Sequence, residues 1–130
     1  MIVDSSALLA VVLKEPDEER FARALLGAPA LRISAANWVE AAIVADSRHP
    51  AVAARFDDLA RFLALNIVPV SVDQAQGARR AWQAFGRGNH AARLNYGDCF
   101  AYALAKESGE PLLFKGHDFT RTDIEPALRG

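Results

Sequence analysis

Four acidic residues in this sequence stand where a charged side chain is costly to place. They are Asp4, Glu40, Asp98 and Asp118. The first directly follows the apolar segment 1–3, and the second is the only charge between residues 35 and 45. A carboxylate set against apolar surface must be paired, protonated or bound to a cation. If the four acids meet at one end of a sheet, they would form a metal site.

Taken singly, three of these acids also have an ordinary structural explanation. Asp4 can cap the helix that follows it, a role that Asp often takes. Asp98 can complement the dipole of a helix capped by Asn95. Asp118 follows Gly116 in the chain and can be a turn residue. The spacing alone leaves these alternatives open.

Glu40 is harder to explain as an ordinary surface residue. At helical spacing its neighbours are Ala36, Asn37, Ile43 and Val44, so this stretch is apolar nearly all round. We therefore expect Glu40 to be buried. The serious alternative to metal binding is then a buried salt bridge, because buried charges are commonly paired.

The residue types also indicate which cation the site would hold. Like charges placed close together raise one another's pKa unless a cation intervenes. A site made of carboxylate oxygens, without a pair of Cys or His ligands, favours Mg²⁺, with Mn²⁺ as a possible substitute, over Zn²⁺. Ser5 and Ser6 can cap the following helix, which is the favoured interpretation, or hydrogen-bond a carboxylate or a substrate phosphate, for which Ser6 is the better candidate. Cys99 is expected to be a buried helix thiol.

Length and composition bound the remaining possibilities. A chain of 130 residues with 52% hydrophobic and 24% charged residues predicts one folded domain over 1–130. The longest apolar run, 7–13, is too short to cross a membrane, and we expect no membrane association. The absence of a basic start and the single cysteine predict a reducing, cytoplasmic location.

Charge distribution is more informative than net charge. A formal net charge of −1 does not mark a nucleic-acid binder. Positive residues nevertheless gather in sequence around two of the acids: Arg87, His90, Arg93, Lys115, His117 and Arg121.

Periodicity and turn residues predict alternating strands and helices. Strands are expected at 1–3, 31–33, 67–70 and 112–114, with a short fifth beginning at Ile124, and helices at 17–26, 34–46, 50–65, 72–85 and 95–108. Such alternation is typical of an α/β fold with a parallel sheet covered on both faces. Sites in these sheets lie beyond the carboxyl ends of the strands. Glu40 is the least secure member of the site, since it lies roughly 9 Å inside its helix.

Four segments together resemble the PIN-domain family, and within it the VapC-type toxins of toxin-antitoxin modules. They are 2–7, 34–41, 94–105 and 112–119, of which the last two in this order are quite specific, and the match covers nearly the whole chain. The resemblance implies a Rossmann-like sheet of four to five strands flanked by helices. It carries the metal-binding acids onto the four residues named above. Asp123 lies close to Asp118 and could take its place, and Thr120 resembles a hydroxyl that accompanies the fourth acid.

The resemblance also implies an activity. Such proteins are Mg²⁺-dependent endoribonucleases that cut tRNA, rRNA or mRNA and so inhibit translation. Arg93, Lys115 and Arg121 are candidates to hold RNA phosphates, which would position a substrate without reading its sequence. The alternative is a non-catalytic RNA-binding or antitoxin-sequestering module with a vestigial site. An aspartyl phosphotransfer domain is disfavoured, because a second acid is missing at the position of Ser6.

Partners are expected as well: a homodimer and a cognate VapB-type antitoxin. The predicted helical hairpin 34–46 and 50–65 has more apolar side chains than a small sheet can cover, namely Trp38, Val39, Ile43, Val52, Phe56, Leu59 and Leu63. An antitoxin segment could cover the surplus, and a basic residue from it could reach the acids. Trp38 and Trp82 are interpreted as core or interface residues, with no role in base stacking.

Overall fold

The structure is a computed structural model that describes residues 1–128. Its strands are β1 (Ile2–Val3), β2 (Arg32–Ser34), β3 (Asn66–Val68) and β4 (Leu112–Leu113). Its helices are α1 (Ser5–Val12), α2 (Glu18–Gly27), α3 (Ala35–Asp46), α4 (Pro50–Phe62), α5 (Val72–Phe85) and α6 (Tyr96–Ser108). No helix in this part of the chain has the length and apolar character needed to cross a bilayer.

The four strands form one parallel sheet in the order β3-β2-β1-β4. The central strand β1 pairs Ile2 with Arg32 on one side and with Leu112 on the other. Because the strands are parallel, their carboxyl ends share one edge, where Asp4 follows β1 and the loop with Asp118 follows β4. The predicted α/β architecture is confirmed.

Successive residues of each strand supply two separate cores. Val3 and Leu113 face one cluster, which packs against α1 to α4, whereas Ile2 and Leu112 face the cluster that packs against α5 and α6. This alternation follows from the two-residue period of a strand. The sheet therefore has helices on both faces, and the acids lie at its rim.

Several predicted boundaries are confirmed and one predicted strand is wrong. Helix α5 has the predicted bounds, and Ser34 caps α3 as expected by accepting from the backbone N–H of Ala36. The expected fifth strand at Ile124 is reduced to a single bridge between Leu112 and Pro126. The bridge is formed by the backbone N–H groups of Leu112 and Ala127, so Pro126, which has no N–H, stands at an edge position where none is needed.

The apolar surface of the α3–α4 hairpin is smaller than predicted. Phe56 is only 2% exposed and belongs to the core, where its ring packs 6.1 Å from that of Trp38. Val52 and Leu59 also pack against the core. The large apolar residues left exposed on α3 are Val39 and Ile43, the latter 62% exposed.

Candidate active site

The structure places the four acids at the carboxyl edge of the sheet, where neighbouring pairs of them lie within electrostatic range of each other. We call this group the acidic cluster: Asp4 at the start of α1, Glu40 in the second turn of α3, Asp98 in the first turn of α6, and Asp118 in the loop after β4. The charge of Glu40 acts on Asp4, and the charges of Asp4 and Asp118 act on Asp98. Four segments that are distant in sequence therefore meet at one place.

Asp4 is the most deeply buried member of the acidic cluster. It is 4% exposed, and its Oδ2 accepts from the backbone N–H of Ser6 at 3.1 Å and from the Ser6 hydroxyl at 2.6 Å. Its other oxygen, Oδ1, is buried without a hydrogen-bond partner. Burial is the main cause that raises the pKa of Asp4 to about 6, and the negative charge of Glu40 adds to it. A buried, unpartnered carboxylate oxygen is well suited to bind a cation.

Ser6 links Asp4 to the loop after β4. While its hydroxyl donates to Asp4, the same oxygen accepts from the backbone N–H of Lys115 at 2.9 Å. Asp4 also caps α1, so the ordinary structural explanation and the candidate hydrogen bond from Ser6 both hold in the structure. The capping uses Oδ2 and leaves Oδ1 for another partner.

Glu40 is held by two neutral side chains and is only half-buried. Its Oε1 accepts from the Ser5 hydroxyl at 2.6 Å and from Asn37 Nδ2 at 3.4 Å. The expectation of full burial is wrong, because α3 buries only one face, and Val39 and Ile43 lie exposed beside Glu40. Among the described residues Glu40 forms no ion pair, so the alternative of a buried salt bridge receives no support.

Asn37 and Gly97 complete the support of Glu40, and sequence reasoning missed both. Asn37 is fully buried, and its Nδ2 also donates to the carbonyl of Gly97 at 2.9 Å, which ties α3 to α6. A Cβ at Gly97 would overlap the carboxylate of Glu40. The available signals were a lone amide in an apolar helix and a glycine inside a helix next to an acid.

Replacing Gly97 by alanine should therefore displace Glu40 without unfolding the protein. The overlapping atoms are at the end of a flexible side chain, and alanine in a helix is favoured over glycine by about 1 kcal/mol. We expect unchanged or higher thermal stability together with up to about a hundredfold loss of activity, the order found when a positioned group moves by about 1 Å.

Gly77→Ala in α5 is the matched control for this substitution. A Cβ there would meet its nearest heavy atom, the Cβ of Ala103, at an ordinary 3.5 Å. Gly77→Ala should stabilise the helix equally and leave activity unchanged. Equal activity of the two variants would show that the position of Glu40 is unimportant.

Asp98 is fixed by a capping box at the start of α6. Its Oδ2 accepts from the backbone N–H of Asn95 at 3.0 Å, and its own N–H donates to Asn95 Oδ1 at 2.9 Å. Burial is the main cause that raises the pKa of Asp98 to about 7, with Asp4 and Asp118 adding negative charge nearby. Capping thus explains one oxygen of Asp98, but not the placement of this acid among three others.

Asp118 rather than Asp123 lies near the other acids. Asp118 is exposed, and the loop that carries it is anchored by the buried ring of Phe119, 5.0 Å from that of Phe114. Asp123 instead accepts from the Tyr102 hydroxyl at 2.5 Å and pairs with Lys106 at 2.8 Å, and its hydrogen bond with Lys106 is the main cause that lowers the pKa of Asp123. The geometry therefore favours Asp118 as the fourth acid.

The other predicted site residues lie in different surroundings. The ammonium of Lys115 pairs with Glu15 at 2.9 Å and Asp17 at 3.0 Å, so a phosphate would have to compete with two carboxylates for it. Thr120 is exposed and donates to the carbonyl of His117 at 2.6 Å. The side chain of Arg93 is exposed, and its backbone has a positive φ of 57°.

The donor set of the acidic cluster fits a hard divalent cation. The atoms it offers to a cation are carboxylate oxygens, one of which is buried and unpartnered, and such oxygens are the preferred ligands of Mg²⁺ and Mn²⁺. Within residues 1–128, no three acidic, histidine or cysteine side chains are grouped tightly enough to enclose one ion in this conformation. Without a cation between them, repulsion between like charges favours a wider separation of the carboxylates.

Comparison with known proteins identifies close relatives. The PIN domain family model matches residues 1–125. The chain is 47% identical over 125 residues to "Ribonuclease VapC30" of Mycobacterium tuberculosis, covering 95% of both chains. It is also 47% identical over 125 residues to "Ribonuclease VapC" of Mycolicibacterium smegmatis, covering 95% of this chain and 97% of the relative.

Two solved structures share the fold. One is VapC20 of Mycobacterium tuberculosis, named as a toxin that cleaves the sarcin-ricin loop, with a TM-score of 0.72 at 18% identity over 95% of both chains. The other belongs to a toxin-antitoxin complex from Klebsiella pneumoniae, with a TM-score of 0.69 at 22% identity over 94% of this chain and 92% of that one.

Proposed function

This chain belongs to the PIN-domain family, as an RNA-cleaving toxin of the VapC type, and we propose that its acidic cluster holds the divalent cation used in cleavage. The observation that carries the proposal is the unpartnered Oδ1 of Asp4, buried within electrostatic reach of other carboxylates. The family relationship favours an active enzyme over a vestigial binding module. The presence of all four acids of the cluster supports the same conclusion.

Each acid has a distinct part in this site. Asp4 offers its free Oδ1, and Asp98 offers the oxygen that does not accept from Asn95. Glu40 is oriented by Ser5 and Asn37, and Asp118 closes the site from the loop. When bound, a divalent cation lowers the pKa of a water ligand and offsets charge on the scissile phosphate. The acids fix where this chemistry takes place.

Mg²⁺ is the proposed cofactor, with Mn²⁺ as a substitute. RNA cleavage by the purified protein should occur with either ion and stop when EDTA is added. Millimolar Mg²⁺ should also raise the melting temperature, because a ligand that binds only the folded state stabilises it by RT ln(1 + [L]/Kd). RNA cleavage that continues in EDTA, or a melting temperature indifferent to both ions, would contradict the proposal.

The proposed consequence of cleavage is inhibition of translation, through tRNA, rRNA or mRNA. Neither metal ligands nor phosphate contacts encode base identity, so the site itself does not select among these RNAs. Incubation with total cellular RNA and mapping of the new 5′ ends would identify the target. We propose that the reaction takes place in the cytoplasm, where these RNAs take part in translation.

We further propose a cognate VapB-type antitoxin and a homodimer as partners. The exposed pair Val39 and Ile43 on α3 lies one turn or less from Glu40 and suits an apolar antitoxin segment. A basic residue of that segment would be attracted to the acidic cluster and compete with the metal.

Ile43→Glu should weaken neutralisation by the cognate antitoxin about tenfold or more, measured relative to the cleavage rate of the same variant without antitoxin, because a charge would replace an exposed apolar contact. Phe56 is unsuitable for this test, since it lies in the core. Titration of cleavage with antitoxin measures the effect, and light scattering measures the oligomeric state. Full neutralisation of Ile43→Glu would place the antitoxin elsewhere.

A further inference from the structure

A groove of about 390 Å³ lies between α5 and α6. Helix α5 contributes Ala78, Arg79 and Trp82 to its lining, and α6 contributes Tyr96, Cys99 and Phe100. Two aromatic side chains are notably exposed here, Trp82 at 46% and Tyr96 at 79%. The sequence interpretation of Trp82 is a core or interface residue without a role in base stacking. Its exposure excludes the core, and its place in the lining of a groove reopens the question of stacking.

One turn of α6 forms both the groove and part of the acidic cluster. Tyr96 and Cys99, three residues apart on one helix face, line the groove. Between them, Gly97 faces the carboxylate of Glu40, and Asp98 belongs to the cluster. The charge of Asp98 acts on the thiol of Cys99. Asp98 projects from the first turn of α6 about 200° around the helix from Tyr96, so the groove and the cluster lie on different sides of this turn and an RNA chain joining them would cross about one helix diameter, roughly 10 Å.

The aromatic walls of the groove are held in place. The carbonyl of Trp82 accepts from the backbone N–H of Gly86 at 2.8 Å and from Asn89 Nδ2 at 3.2 Å. The indole lies so close to Gly86 that a Cβ there would overlap it. The ring of Tyr96 packs edge-to-face on Phe100, with centroids 4.9 Å apart. The hydrogen bonds anchor the backbone of Trp82, and the contacts with Gly86 and Phe100 limit the motion of the two rings.

We propose that this groove is a nucleobase-binding subsite, in which a base next to the scissile phosphate stacks on Trp82 or Tyr96. The inference rests on the proposed ribonuclease function. Stacking on aromatic rings is a general way to hold single-stranded RNA, because every base has a π-face. A base held here would align the adjoining phosphate with the acidic cluster.

A single positive charge accompanies the aromatic rings of the groove. Arg79 is the only charged side chain among the described residues that line it. A guanidinium can pair with a backbone phosphate or stack on a base. The aromatic rings and Arg79 thus match the two chemical parts of a nucleotide.

The test is steady-state cleavage of a short single-stranded RNA by four variants. Trp82→Leu and Tyr96→Leu should each raise KM about tenfold with little change in kcat, the scale of one lost base stack. Trp82→Phe and Tyr96→Phe should restore most of the affinity, because they keep a ring. Phe62→Leu, at an aromatic residue that is 76% exposed on α4 outside the groove, is the matched control and should leave KM unchanged.

A binding measurement in EDTA distinguishes base stacking from charge attraction. The wild-type protein should bind the RNA about tenfold more tightly than an abasic ribose-phosphate chain of equal length, and the two Leu variants should lose this preference. Unchanged KM in both Leu variants would overturn the subsite. A higher KM accompanied by a lower oligomeric mass in sedimentation would also overturn it, and would assign the groove to self-association. Failure of the wild-type protein to cleave RNA with Mg²⁺ would instead overturn the ribonuclease function itself.

Discussion

Asp98→Asn should lower RNA cleavage by roughly a thousandfold while leaving the fold intact, since metal ligands supply several kcal/mol of transition-state stabilisation. Asparagine keeps the size of the side chain and an oxygen that can accept from the backbone N–H of Asn95, so the cap of α6 is retained. What is lost is one negative charge in the acidic cluster. The measurement is kcat/KM at saturating Mg²⁺, together with a thermal melting curve.

Asp123→Asn is the matched control for this substitution. Asp123 is an exposed acid five residues beyond Asp118, paired with Lys106 and Tyr102 rather than with the cluster. We expect near wild-type cleavage by this variant. If Asp98→Asn retained full activity with normal stability, or if Asp123→Asn were the inactive variant, the assignment of the cluster would be wrong.

The stability of the metal-free protein should fall as the pH rises from about 4 to about 7. Burial raises the pKa of Asp4 to about 6 and that of Asp98 to about 7, from an ordinary value of 3.8. In this window the folded state holds protons that the unfolded state has released. Because stability falls with pH wherever the folded state binds more protons, deprotonation of these acids costs folding free energy.

Urea unfolding in EDTA at about pH 5 and about pH 8 measures this effect, and Asp4 alone should account for about 1 kcal/mol of it. Asp4→Asn should remove part of the slope, because it removes one titrating group. Saturating Mg²⁺ should flatten the slope further by stabilising the ionised acids. A metal-free protein that gained stability over this range would show that the carboxylates are not destabilised by burial and by one another.

The elements of the site follow from local sequence signals. Asn95 followed three residues later by Asp98 is a capping signature, and it forms the capping box that fixes the acid. Asp4 after a short buried strand was likewise placed at the carboxyl edge by the rule for parallel sheets. These signals are local, so no knowledge of the packing was needed to interpret them.

The features that sequence reasoning missed depend on packing between distant segments. Helical periodicity marks Phe56 and Ile43 equally as apolar, but only the fold shows that one lies in the core and the other is exposed. The pairing of Lys115 with Glu15 spans 100 residues and has no local signature. The choice between Asp118 and Asp123 depended on the path of a loop.

The aromatic groove shows the same limit. Trp82 and Tyr96 lie on different helices, and their shared exposure arises from the way α5 packs on α6. Composition could not distinguish a core tryptophan from one at the surface of a groove. The position of Cys99 beside Asp98, by contrast, was visible in the sequence and gives the groove its closeness to the acids.

Anomalous diffraction at the manganese edge, from crystals grown with Mn²⁺, tests the central claim most directly, because it locates the cation independently of activity. The account predicts a peak at ligand distance, about 2.1 Å for a small divalent ion, from Oδ1 of Asp4 and from the carboxylate of Asp98. The peak should disappear in Asp98→Asn and persist in Asp123→Asn. A fully occupied Mn²⁺ bound elsewhere, or no peak beside Asp4 at saturating Mn²⁺, would contradict the account.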